Sequence, residues 1–293
     1  MNAPWLPPRP SAADEAGRQL LGEGYCILRA LVPPKEVAAL AADFDARFER
    51  IGRCDGFFFG HSTKRFHALL TRSARTAGFV LNPLILDLVD RALLPHCDRV
   101  QLNLTQAIEI LPGERAQAPH RDQDMWQRPV AGIEYLVNVM WPLTPFTAEN
   151  GATRLWPGTN HDLAERRVPM SEAVVAEMEP GDALLYLGSV VHGAGANRSA
   201  APRRGMVISY ALGWLKQFEN MSLTYPPHVA RHFPRQLTDL IGYRRHNANL
   251  GSYDGNCPSR LLDGETDFLA ATENMTSEQQ AILEQFAARQ DWS

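Results

Sequence analysis

The run RVQLNLTQAIEIL, residues 99–111, alternates apolar and polar side chains and ends against Pro112-Gly113. A period of two puts successive side chains on opposite faces of an extended strand. The same texture returns in EYLVNVMWPL (134–143), GATRLWPG (151–158), DALLYLG (182–188) and GMVISYALGWL (205–215), each bounded by Pro, Gly, Asn or Asp. LPGE, WPGTN and EPGD mark turns at strand ends, where Pro fixes one φ angle and Gly supplies another that a side chain would forbid. Short strands with such turns across residues 99–215 predict a mainly β chain with a sandwich or small barrel, in line with a jelly-roll core.

Helical patterns flank this core. They cover 11–22, 34–51 (following Pro33-Pro34, with Gly52 as a stop) and 76–92, ending before Pro95. GYCILRAL (24–31) between the first two reads as a short strand, and the C-terminal SEQQAILEQFAARQ opens with a Ser-x-x-Gln capping pattern after Thr276. The expected organisation is one domain over 1–293: a helical N-terminal part at 11–95, a jelly-roll core at 99–215, and a loop and helix extension at 216–293.

Composition narrows the function. Hydrophobic residues at 45% and charged residues at 21% are ordinary for a globular chain, and a net charge of −4 argues against a protein held to a phosphate backbone. The opening MNAPWLPPRP has no basic start followed by an apolar core, and no stretch is long enough to span a bilayer, so the expectation is a cytoplasmic enzyme without nucleic-acid or membrane partners. Cys26, Cys54, Cys97 and Cys257 form no CxxC pair, which removes the usual structural zinc reading and leaves reduced thiols.

The chemistry concentrates in AQAPHRDQDMW, residues 116–126. In an extended segment residues i and i+2 project to one side, so His120 and Asp122 aim an imidazole and a carboxylate at a common point while Arg121 points away. That ligand pair suits divalent iron, and one more His would complete a facial triad with three open positions. His192, after a buried-looking strand and followed by Gly193 and Gly195, is the best of the nine His residues, because small neighbours let something approach closely. The strand that opens with Arg203-Arg204 adds a guanidinium which, aimed into a β cavity, needs an anionic partner and matches a carboxylate through its planar donors. The implied ligand is a small dicarboxylate.

With HRD at 120–122, GATRLWPGTNH at 151–161, EPGDALLYLGSVVHGAGANRS at 179–199 and PRRGMVISYALGWL at 202–215, the chain resembles the phytanoyl-CoA dioxygenase-like family of iron(II)/2-oxoglutarate oxygenases. IEILPGERAQAPHRDQ and SYALGWLKQFEN are similar to its natural-product tailoring branch. The resemblance covers most of residues 20–260 and implies a double-stranded β-helix core, with His120, Asp122 and His192 as ligands of Fe(II) and Arg203 on the distal carboxylate of 2-oxoglutarate, with Arg204 as the register alternative. It also implies co-substrate contacts from Gln117, Thr153 and Arg65. The implied reaction consumes O2 and 2-oxoglutarate, releases succinate and CO2, and hydroxylates, desaturates or cyclises an unactivated C–H position of a small molecule. A carboxylate at position 122 favours oxygenation over chlorination, since related halogenases leave that ligand position vacant. Gln123 and Asp124 are expected behind the ligands or in a solvated lid, and Trp126, ahead of Met125, Phe57, Phe58, Phe59 and Trp214, on the substrate wall. A homodimer is the default assembly. The rival readings are a cupin-type metalloenzyme without 2-oxoglutarate and a non-catalytic small-molecule binding protein on the same fold.

Overall fold

A computed structural model describes residues 11–164, 167–265, 267–268 and 270–289, so Met1–Pro10 lie outside the described residues. The strands are β1 (Tyr25–Leu28), β2 (Thr63–His67), β3 (Val100–Ile110), β4 (Leu136–Pro142), β5 (Thr153–Trp156), β6 (Val174–Val175), β7 (Ala183–Leu187), β8 (Val191–Ala194) and β9 (Arg203–Leu212). They form a six-stranded sheet in the order β1-β7-β4-β9-β3-β2 and a three-stranded sheet in the order β6-β5-β8. All paired strands run antiparallel, which gives the jelly-roll core flanked by helices.

Alternation within the strands divides the molecule into two apolar layers. On β9, Met206, Ile208 and Tyr210 join the large core under the helices, whereas Val207 faces the smaller core between the sheets. Helices α1 (Ala12–Glu23) and α2 (Pro34–Arg50) cover that large core, with Leu20, Phe44 and Phe48 buried. Each such Phe contributes roughly 1.5–3 kcal/mol by burial. The short α3 (Leu69–Arg72), α4 (Thr76–Val80) and then α5 (Pro83–Leu93) continue the cover, followed beyond the core by α6 (Met221–Thr224), α7 (Pro227–Ala230), α8 (Arg235–Ile241) and α9 (Ser277–Ala288).

Three sequence expectations change. The single helix over 76–92 is two helices, because Pro83 lacks an N–H and forces Asn82 out of the helical region (ψ 122°), while the Asn82 side chain caps α5 through the N–H groups of Leu84 and Ile85. The cap of α9 is Thr276 with Gln279 in a reciprocal capping box, one residue earlier than the Ser-x-x-Gln reading. The strand expected over 24–31 forms as β1 and pairs with β7, while an unexpected strand, β2, pairs with β3, so the N-terminal part supplies both edges of the large sheet. Among the described residues no helix is long and apolar enough to cross a membrane.

Candidate metal centre and its cavity

His120 and His192, far apart in the chain, are joined by a reciprocal backbone pair: His120 N–H donates to the His192 carbonyl at 3.0 Å and His192 N–H to the His120 carbonyl at 2.9 Å. This isolated bridge places the two imidazoles 4.4 Å apart between ring centres. Arg121 is extended (φ −115°, ψ 129°), so Asp122 turns back to the side of His120, as the i, i+2 spacing requires. Ligand atoms of His120, Asp122 and His192 all lie within 4.8 Å of one another.

Each imidazole is oriented by backbone. Nδ1 of His120 donates to the Ala118 carbonyl at 2.9 Å and Nδ1 of His192 to the Val190 carbonyl at 3.1 Å, which leaves both Nε2 atoms facing Asp122 at 3.4 Å. Asn138 donates its amide to the second oxygen of Asp122 at 2.9 Å. Burial alone would raise the Asp122 carboxyl, but the charges and hydrogen bonds of the two imidazoles hold it well below the usual carboxylate range. For His120, burial opposes the charged form and is outweighed by Asp122, so its pKa is raised. Two imidazoles and a carboxylate, converging with oriented tautomers, are a donor set that fits a ferrous ion with open positions.

The cluster lines a cavity of about 380 Å³ between the sheets, walled largely by apolar residues such as Leu104, Ile108, Met140 and Val207. Arg203, Gln117, Thr153 and Arg65 all line it too. Arg203 is 2% exposed, lies with its guanidinium carbon 4.1 Å from the Phe146 ring centre, and donates to the Gly151 carbonyl; its Nε has no hydrogen-bond partner. Burial first, and then Arg65, lower its pKa to about 9. Among the described residues no carboxylate pairs with it, so the cavity holds a buried, unneutralised cation. Arg204 projects to the opposite face, where Glu109 at 2.6 Å and Asp45 at 2.5 Å engage it.

The remaining expected residues differ in detail. Gln117 lines the cavity, yet its amide also bridges backbone, donating to the Phe58 carbonyl at 3.2 Å and accepting from Ala194 N–H at 3.3 Å. Arg65, on β2, donates to Gln106 at 2.9 Å, and burial lowers its pKa. Trp126 is a correction: it is not in the cavity wall, because the turn at Asp122–Met125 carries its indole outward to donate to the Lys216 carbonyl at 2.9 Å and pack edge-on against Tyr135. Met125, Phe58, Phe59 and Phe218 form the apolar wall instead. The carbonyls of Ala118 and Val190 orient the imidazoles, while Asp124 is exposed and lines the cavity. The small residues after His192 accommodate the chain's own backbone, since a Cβ at Gly193 would stand 3.2 Å from the Gln117 carbonyl.

Two residues escaped the sequence reading. Asn138 stands as a polar interruption in LVNVMWP, a detectable sign in a buried strand. Tyr186, with its ring centre 4.6 Å from that of His192, sits in an apolar run that carries no such sign.

The turn joining β7 to β8 is packed tightly enough to give a stability prediction. A Cβ on Gly188 would fall 2.0 Å from Cδ2 of Leu136, so Gly188→Ala is expected to destabilise the protein by about 1–3 kcal/mol, read as a lower urea midpoint with an unchanged slope.

The family model described as phytanoyl-CoA dioxygenase (PhyH) matches residues 21–205. The multifunctional dioxygenase prhA of Penicillium brasilianum is 31% identical over 267 residues, covering 83% of this chain and 88% of that protein. The multifunctional dioxygenase ausE of the same organism is 32% identical over 265 residues, with the same coverage. Among solved structures, the epimerase SnoN in complex with Fe3+, alpha ketoglutarate and nogalamycin RO aligns over 69% of this chain and 84% of its own at a TM-score of 0.57 and 18% identity. HygX from Streptomyces hygroscopicus, with nickel and 2-oxoglutarate bound, aligns over 70% and 89% at a TM-score of 0.54 and 13% identity. These structural likenesses are likenesses of fold.

Proposed function

Because the chain belongs to the phytanoyl-CoA dioxygenase family and is a non-haem iron(II)/2-oxoglutarate-dependent dioxygenase, we propose that it oxidises an unactivated C–H position of a small, largely apolar natural product. Its cofactor is Fe(II), and 2-oxoglutarate and O2 are its co-substrates. The observation that carries the reading is the His120, Asp122 and His192 cluster beside the uncompensated Arg203 in one cavity.

In this reading His120, Asp122 and His192 hold the iron and Arg203 receives the distal carboxylate of 2-oxoglutarate. Phe146 and the Gly151 carbonyl fix the guanidinium in place, so no reorganisation is needed when the anion arrives. Thr153, Gln117 and Arg65 complete the co-substrate pocket, with Gln117 exchanging a backbone contact for the ligand. Bound iron supplies O2 activation coupled to decarboxylation of 2-oxoglutarate, with succinate and CO2 as products. The protein's part is placement: Phe58, Phe59, Met125 and Phe218 would hold an apolar skeleton against the His120, Asp122 and His192 cluster and so select the carbon that is oxidised. The names of prhA and ausE, both multifunctional dioxygenases, support more than one oxidative outcome from one such site.

Anaerobic addition of Fe(II) and then 2-oxoglutarate should produce a visible charge-transfer band at one iron per chain. A screen of apolar natural products for stimulated succinate release would then identify the substrate. Folded, metal-loaded protein without the band contradicts the reading.

A further inference from the structure

All three carbonyls of the turn at Gly188–Val190 are bonded to residues of the metal cluster or of the segment that carries it. Gly188 N–H donates to the Leu136 carbonyl at 2.8 Å, and its own carbonyl accepts from Gln123 N–H at 3.1 Å, one residue beyond Asp122. The Ser189 carbonyl accepts from Nε of Arg121 at 2.8 Å, between His120 and Asp122. The Val190 carbonyl accepts from Nδ1 of His192. This one turn therefore touches both arms of the cluster, and its placement sets the angle of the His192 ring.

The Val190 N–H donates back to the Leu187 carbonyl at 3.2 Å, and both donors of Ser189 go to one side chain. Glu134 accepts from Ser189 N–H at 3.3 Å and, through its other oxygen, from the Ser189 hydroxyl. It also accepts from Leu136 N–H at 3.5 Å. Glu134 is not in the cavity wall, and among the described residues no cation pairs with it. Burial lifts its carboxyl to about 7 against these hydrogen bonds. In its ionised form the carboxylate offers one acceptor oxygen to each of the two donors on Ser189. Ser189 is thus gripped from both sides, by Glu134 at its N–H and hydroxyl and by Arg121 at its carbonyl.

We propose that Glu134 is a positioning residue for the iron centre: through Ser189 it fixes the turn whose carbonyls orient His192 and anchor the Arg121–Gln123 segment. The inference rests on the reading of His120, Asp122 and His192 as iron ligands. It predicts that loosening the turn changes metal binding in protein that remains folded, as outer partners of metal ligands commonly do.

The test compares wild type, Glu134→Leu, Ser189→Ala and the double variant by anaerobic Fe(II) titration, by the shape and position of the band with 2-oxoglutarate, and by thermal melting without metal. Glu134→Leu is expected to weaken Fe(II) binding by roughly 10–100-fold and shift the band. Ser189→Ala is expected to lose several-fold, and the double variant to bind no more weakly than Glu134→Leu, since both changes remove one coupled contact. Wild-type affinity and an unshifted band in both single variants, whatever their melting temperatures, overturn the proposal. If Glu134→Leu does not fold, Ser189→Ala alone decides: wild-type affinity and band overturn the proposal, and weaker binding with a shifted band supports it. Absence of a band in the wild type instead overturns the iron reading.

Discussion

Asp122→Ala is expected to reduce substrate-dependent succinate release by roughly a hundredfold to several thousandfold. Removing one partner from a buried, hydrogen-bonded charge cluster costs about 3–5 kcal/mol, and each 1.4 kcal/mol is about tenfold. Here the carboxylate faces both imidazoles at 3.4 Å and accepts from Asn138, so alanine leaves all three groups without their shared partner. The loss should appear first as weaker Fe(II) binding, measured by titration followed through the charge-transfer band. Asp122→Asn, which keeps the volume but not the charge, should fall in the same range. Succinate release within about fivefold of wild type in the alanine variant would refute the assignment of Asp122 to the iron.

Arg203→Leu carries the second large effect and separates this enzyme from a cupin-type metalloenzyme that does not use 2-oxoglutarate. The guanidinium is buried without a carboxylate, a costly state that a bound dicarboxylate relieves. Truncating one partner of a buried charge pair costs about 2–5 kcal/mol, so KM for 2-oxoglutarate should rise from roughly 30-fold to several thousandfold, with Fe(II) affinity little changed. Stability should move the other way. An apolar side chain of similar reach removes the burial cost, so the variant without ligand is expected to melt at or above the wild-type temperature, offset by the loss of the Phe146 and Gly151 contacts. Arg203→Lys keeps charge but not the planar donor pair and should lie between. Unchanged 2-oxoglutarate dependence would favour the cupin-type reading.

The parts of the fold legible in the sequence are those where one face of an element is buried. β3 declares itself by alternation and β4, β7 and β9 by near-continuous apolar runs, and all four are buried along nearly their whole length. β2, in contrast, is TKRFH, with Lys64, Arg65 and His67 partly buried beside a partner strand, and no hydrophobic period marks it. Its strand geometry is imposed by the free edge of β3, which pairs with it from Thr63 to His67. The break at Asn82-Pro83 was legible through the proline and was overridden by the apolar pattern on either side.

The site divides in the same way. Residue types and spacing pointed to a metal-binding pair, because His120 and Asp122 are neighbours on one short segment and local backbone geometry alone brings them to one side. Adjacency failed for Trp126, where the turn after Asp122 rotates the indole out to Lys216. The choice of Arg203 for the cavity face and Arg204 for Asp45 and Glu109 was a matter of register, which no single strand fixes by itself. The tertiary structure decided the convergence of His192 with His120 through a reciprocal backbone pair, and the gathering of Asn138, Tyr186 and Glu134 around them. A sequence encodes what each side chain can do and how its immediate neighbours point; which distant side chains share one low-dielectric cavity depends on sheet pairing, and that is fixed only when the whole core packs.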